Sequence, residues 1–240
     1  MLSFFGDFGF VATNATVASA LMSDDITRAA EPAWLRIVAA DGVALEAQVV
    51  VPPGARAAVV LCHPHPEFGG SMQSIVPSEL FRLLPVAGIA ALRFNFRGVG
   101  ASEGSHARGV DEALDVSAAV GALGERTPGL PLVVAGWSFG ADVSLTVVDD
   151  AITGWVPIAP PLAVVDVSTM LAAGDPRPKL LVVPEHDQYD PPDRVRKMTA
   201  DWVATSIEVV PGADHFLVGR TDRVAELVVG FVDRLTAAGR

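Results

Sequence analysis

The run Ala57–Cys62 (AAVVLC) offers no polar side chain to either face of a strand. Successive strand residues point to opposite faces, so such a run has to be covered on both sides, as in the interior of a parallel sheet. Further β-type runs follow at Ile89–Phe94, 132–136, 152–159, Lys179–Pro184 and 206–211. Between them, residues 110–123 align Ala113, Val116, Val120 and Leu123 on one helical face. Near the end of the chain Val224, Leu227, Val228, Phe231, Val232 and Leu235 do the same. Strands alternating with amphipathic helices predict an α/β fold, a parallel sheet joined by crossover helices. Ahead of this pattern, 34–40 and 43–51 are β-rich and are separated by Asp41-Gly42, which predicts a tight antiparallel hairpin.

Composition agrees with a packed domain. Half of the residues are hydrophobic and 19% are charged, and 240 residues fit one core of this class without a second domain. The expected domain spans 31–240. Residues 1–30 read as an N-terminal extension, either loosely attached or serving as a short cover or dimer contact. They contain Asp7 and lack the basic start and continuous apolar stretch of a secretory signal. No uninterrupted apolar run of about 18 residues occurs, so no membrane span is expected. A net charge of −11 repels a phosphate backbone and argues against nucleic acid as a partner. Cys62 is the single cysteine, so no internal disulfide can form; the chain suits a reducing, cytoplasmic setting, and Cys62 reads as a packing residue. The sequence leaves a homo-oligomer open.

The chemistry concentrates in three places. Gly136-Trp137-Ser138-Phe139-Gly140 follows an apolar run and precedes the helix-compatible stretch 141–148. A G-x-S-x-G pentapeptide in that setting holds its serine on a sharp strand-to-helix turn, where the hydroxyl can act as a nucleophile. Asp187 lies just past the run Lys179–Pro184, at the carboxyl end of a strand, where ligands and catalytic groups collect in parallel sheets. Glu185 and Asp190 are its rivals for the acid. His215, in Gly212-Ala213-Asp214-His215-Phe216, again follows a strand and completes the chain order serine, acid, histidine. In such a trio the imidazole takes the serine proton while the carboxylate fixes its tautomer.

A tetrahedral intermediate needs amide donors for its oxyanion, and the N–H of Phe139, next to the nucleophile, is one. The second is expected from His63-Pro64-His65-Pro66-Glu67-Phe68-Gly69-Gly70. The prolines lack an N–H, which leaves the amide of His65 as the best-placed candidate, with those of Phe68 or a glycine as alternatives. Phe68 and Trp137 flank the expected site and suggest an apolar substrate pocket. His63-x-His65 could also present two imidazoles to a metal, but no cluster of further ligands accompanies the pair. Arg93 to Gly104 begins in a strand and becomes glycine-rich. It lacks the third glycine of a dinucleotide fingerprint and a Walker lysine, and reads as a structural loop beside the site. His106 is expected at the surface, and His186 as a neighbour of the acid.

These motifs, H-P-H-P-x-x-G-G at 63–70, R-F-N-F-R-G-x-G-x-S-x-G at 93–104, the elbow at 136–140, Asp187 and His215, resemble the small, capless, dienelactone-hydrolase-like or esterase-like members of the α/β-hydrolase superfamily. The resemblance runs from about Trp34 to the C-terminus. It implies a mostly parallel sheet of about eight strands with an antiparallel first hairpin and helices on both faces. It implies no metal or organic cofactor, and a small-molecule ester or acyl compound as substrate. Dienelactone hydrolases use a cysteine nucleophile, and Ser138 argues against that substrate. The expected activity is hydrolysis of a carboxylic ester or related acyl bond through an acyl-serine. An acyltransferase, a thioesterase or a peptidase would use the same residues, and a non-catalytic binding module is the alternative from another class. Residues 160–178, rich in proline, leave room for a small lid but not for a cap domain.

Overall fold

A computed structural model describes residues 31–238; the expected extension at 1–30 lies outside them. Eight strands, β1 (Ala33–Val38), β2 (Ala44–Val50), β3 (Ala57–Cys62), β4 (Ile89–Phe94), β5 (Leu132–Trp137), β6 (Ile152–Ile158), β7 (Lys179–Pro184) and β8 (Thr205–Val210), form one sheet in the order β1-β2-β4-β3-β5-β6-β7-β8. β1 and β2 pair antiparallel, β2 meets β4 antiparallel, and every other pairing is parallel. Among the described residues five α-helices accompany the sheet: α1 (Ile75–Leu83), α2 (Glu112–Arg126), α3 (Phe139–Thr146), α4 (Pro192–Met198) and α5 (Thr221–Ala238).

The period-2 logic of the strands sorts the core into two layers. Val59 and Leu61 of β3, Ile89 and Ala91 of β4, and Val133 and Ala135 of β5 pack with Val76 and Leu80 of α1 and with Val224, Val228 and Phe231 of α5. Their alternating neighbours, Ala58, Val60, Leu92 and Val134, face the other way onto Val116, Val120 and Leu123 of α2 and onto Phe139 and Val143 of α3. Every residue of β3, β5 and β7 is buried, as expected for strands sandwiched between helix layers.

Three local departures have physical causes. The first hairpin closes through five residues instead of a two-residue turn, because Val38 pairs with Ala44 and the Asp41 carboxylate is drawn 2.9 Å from Arg97 Nη1. β5 continues one residue further, to Trp137, and α3 begins at Phe139 instead of Ala141, so a single residue joins them. The segment between β6 and β7 carries two short 3-10 turns, Val167–Thr169 and Leu171–Gly174. It is tied to α3 by the buried Asp142, whose carboxylate accepts the N–H groups of Leu162, Ala163 and Val164. Burial pushes this carboxyl up to about 7 although the amides favour its charged form.

Candidate active site

Ser138 is the one residue between β5 and α3, and its backbone stands at φ 55°, ψ −119°. A side-chain-bearing residue pays about 1–3 kcal/mol for such a conformation and keeps it only where its surroundings enforce it. The surroundings do so here. The Ser138 N–H donates to Ile158 O at 3.0 Å and its carbonyl accepts the N–H of Ala141 at 2.8 Å. Gly136 and Gly140 permit the crossing. A Cβ on Gly136 would fall 2.1 Å from Gly140 O, and one on Gly140 would fall 2.5 Å from His63 O. The elbow therefore needs a glycine at each of those positions, which explains the spacing of the motif.

The loop after β8 brings His215 over this elbow, held by Trp137 Nε1–H donating to His215 O at 3.1 Å. His215 Nε2 lies 2.9 Å from Ser138 Oγ, and His215 Nδ1 lies 2.8 Å from Asp187 Oδ2. A carboxylate can only accept, so the ring proton belongs on Nδ1 and the Nε2 lone pair faces the serine hydroxyl. The other oxygen of Asp187 accepts the N–H of Tyr189 at 2.9 Å and of Asp190 at 3.3 Å. Asp187 and His215 are each 5% exposed. Asp190 ion-pairs with Arg194, and burial raises its carboxyl. Glu185, exposed, accepts the N–H of Gly212. Of the three acids, the histidine ring meets Asp187.

His65 precedes a 3-10 turn, Pro66–Phe68, beside the elbow, and its ring lies 4.9 Å from that of Phe139. Among the described residues, the backbone N–H groups of His65 and Phe139 have no protein acceptor. Burial and the neighbouring His106 lower the His65 pKa. His63 is separate from it: Nδ1–H donates to Pro64 O at 2.6 Å, Nε2 accepts the N–H of Phe96 at 3.0 Å, and burial brings its pKa down to about 4. Both nitrogens are spoken for, so the His63-x-His65 pair cannot chelate. Cys62 is buried, and burial raises its thiol far above the ordinary range.

The expected pocket residues part company. Phe68 is 87% exposed next to His65, whereas Trp137 is buried in the core, and its indole N–H donates to the His215 carbonyl. His106, expected at the surface, is instead drawn in against Phe139 and Glu112. Tyr189, which sequence reasoning passed over, places its ring edge-on to His215 at 4.6 Å; its position two residues after the acid was the available signal. The 93–104 segment is structural in its contacts. Asn95 bridges Met72 N–H and Glu46, and Arg97, nearly fully buried, pairs with Asp115 through two nitrogens. A shallow cavity of about 430 Å³ lined by Val51, Pro52 and Leu130 lies at the opposite end of the strands from Ser138 and holds none of these groups.

No helix among the described residues is long and apolar enough to cross a membrane. Residues 53–210 match the family described as serine aminopeptidase, S33 (Hydrolase_4). An uncharacterized protein of Rickettsia prowazekii is 30% identical over 188 residues, covering 73% of this chain and 78% of that one. An α/β serine hydrolase homologue from Coxiella burnetii superposes with a TM-score of 0.72 at 30% identity, covering 82% of this chain and 95% of that one. A Xanthomonas campestris α/β serine hydrolase without a lid superposes with a TM-score of 0.73 at 28% identity, covering 85% of this chain and 94% of that one. With an elbow serine at the carboxyl edge of an eight-stranded sheet and matches of this extent, the chain belongs to the serine aminopeptidase S33 family of α/β serine hydrolases.

Proposed function

We propose that the protein hydrolyses a carboxylic ester or a related acyl bond of a small molecule, with Ser138 as nucleophile, His215 as general base and acid, and Asp187 as the carboxylate that orients it. The observation that carries this reading is the unbroken line from Asp187 Oδ2 through the His215 ring to Ser138 Oγ, with contacts of 2.8 and 2.9 Å. In the first half-reaction Oγ forms a bond to the carbonyl carbon and its proton passes to Nε2. The tetrahedral intermediate then expels the alcohol, which leaves with that proton. Water repeats the sequence on the acyl-serine, and the acid is released. The unsatisfied N–H groups of Phe139 and His65 are the donors assigned to the oxyanion, because preorganised amides cost no reorganisation as charge develops.

The serine aminopeptidase description of the family favours a second reading, release of an N-terminal residue from a short peptide by the same acyl-serine chemistry. A panel of aryl esters of increasing acyl length, run beside aminoacyl anilides, separates the two by turnover. Ser138→Ala should lower turnover of the preferred substrate by about 10⁴ to 10⁶ and abolish labelling by a fluorophosphonate probe. Turnover that survives the substitution would remove Ser138 from the reaction.

A further inference from the structure

His65, Glu67 and His106 converge beside the elbow, and their side chains have no part in the acyl chemistry. One ring nitrogen of each histidine and one carboxylate oxygen of Glu67 lie within 4.8 Å of one another. The two imidazole rings are 4.9 Å apart, and they rest 4.9 and 5.3 Å from the ring of Phe139, a fully buried residue of α3. The pair therefore sits on a fixed floor.

His106 is the member that needs explaining. Its side chain is 12% exposed, both ring nitrogens are shielded from solvent, and neither makes a directed hydrogen bond. Nδ1 lies 2.7 Å from Glu112 Oε1 but off the line of a good N–H donor. Glu112 is itself fully buried, and its two oxygens accept the N–H groups of Ala107 and Gly109 at 2.7 Å each. A buried imidazole nitrogen without a partner costs about 1–3 kcal/mol, and a phenyl ring would fill the same place against Phe139 without that cost. A ligating histidine, by contrast, has one nitrogen on the ion and commonly a carboxylate behind the other.

We propose that His65, Glu67 and His106 form a binding site for one divalent cation of the zinc class, joining the 63–70 loop to the loop that precedes α2. Two imidazoles and one carboxylate suit zinc and exclude calcium and magnesium, which take oxygen ligands. Bonds of about 2.0–2.2 Å to a tetrahedral ion set ligand atoms roughly 3.3–3.6 Å apart. The candidate ligand atoms now lie within 4.8 Å of one another, and the Glu67 side chain is exposed and free to turn toward the two rings. The hydrogen bond from Glu67 N–H to His65 Nδ1 is long, at 3.2 Å, and ligation by either ring nitrogen would exchange it for a metal bond. Three protein ligands leave the fourth position to water. The site stands independently of the acyl reaction assigned to Ser138.

Equilibrium dialysis of the metal-free full chain against Zn²⁺, with Co²⁺ substitution followed by visible absorption, tests this. The wild type should take up one equivalent of Zn²⁺ and give the absorption bands of a four-coordinate Co²⁺ centre. His106→Phe keeps an aromatic ring on Phe139 and should abolish both signals. Glu67→Gln, on an exposed turn where folding is not at stake, should weaken uptake by about tenfold or more. No stoichiometric uptake by the wild type, or uptake that both substitutions leave unchanged, would overturn the proposal.

Discussion

The floor and the rim of the site are built to different rules. On the floor, Asp187 and His215 are buried, every polar atom between Asp187 and Ser138 has a partner, and the strained serine is clamped by close backbone contacts through Gly136 and Gly140. The rim is aromatic and wet. Phe68, Tyr189 and Phe216 are 87%, 56% and 48% exposed, and their rings touch His65 or His215 without being enclosed. Floor groups can hold one geometry because several independent contacts fix each of them. Rim groups have apolar surface that water covers until something else does, which is how a small protein leaves specificity adjustable around fixed chemistry.

The largest way to break this contrast is on the floor. Asp187→Asn keeps the shape of the side chain but lets the amide donate toward Nδ1, which favours the wrong tautomer, and a loss of about 10⁴ in kcat is expected. Asp190→Asn should cost far less in kcat, because Asp190 meets Arg194 and reaches Asp187 only through its backbone N–H. Steady-state kinetics of both variants on one aryl ester decides the matter. Equal losses would mean that the two carboxylates act as a unit.

A smaller effect distinguishes the two histidines of the H-P-H segment. His63 is held neutral in the fold, with a pKa brought down to about 4 from 6.5 chiefly by burial, while the unfolded chain protonates it normally. The unfolded state therefore binds more protons between those values, and the stability His63 confers is complete above pH 6.5 and falls as the pH drops toward 4. Between pH 7 and pH 5 the loss from this residue is about 2 kcal/mol. Asp142, whose carboxyl is raised by burial to about 7, gains stability over the same range and opposes this loss in both proteins. The readout is therefore the difference: urea unfolding at the two pH values should show a change from pH 7 to pH 5 that is about 2 kcal/mol less favourable in the wild type than in His63→Gln, whose amide can both donate to Pro64 O and accept from Phe96 N–H. An equal change in both proteins would mean that the His63 ring is not held neutral by burial.

The sheet was legible in the sequence because period-2 burial leaves a mark at every residue: the expected runs at 57–62, 89–94 and 179–184 coincide with β3, β4 and β7. α1 and α4 left weaker marks. Pro77 interrupts the first turn of α1, and α4 is seven residues with one buried side chain, Val195. Within the site, Ser138, Asp187 and His215 stood out because each follows a strand, and topology then delivers them to one edge. His106 departs from expectation because its face is set by Phe139, a residue of α3 far along the chain that the local sequence does not mark; only Glu112, six residues on, lies nearby. The indole of Trp137 likewise meets a distant partner, the carbonyl of His215.

The smallest expected effect lies on the rim and separates its two readings. Phe68 makes no core contact to lose, so Phe68→Ala should leave thermal stability within the scatter of ordinary surface substitutions, about 0.5 kcal/mol. If the ring is a wall for the acyl or aryl part of the substrate, covering about half of it is worth roughly 1 kcal/mol. Binding of that kind is the same in the ground and transition states. KM for long-acyl or aryl esters should then rise about fivefold while kcat holds, and acetyl esters, too short to reach the ring, should be indifferent. A fall in kcat for all esters alike would instead mean that Phe68 acts through the His65 ring 4.9 Å away, steadying the loop whose amide is assigned to the oxyanion. In that case Phe68, despite its exposure, would belong functionally to the floor, and the boundary between fixed chemistry and adjustable specificity would run through Tyr189 and Phe216 alone.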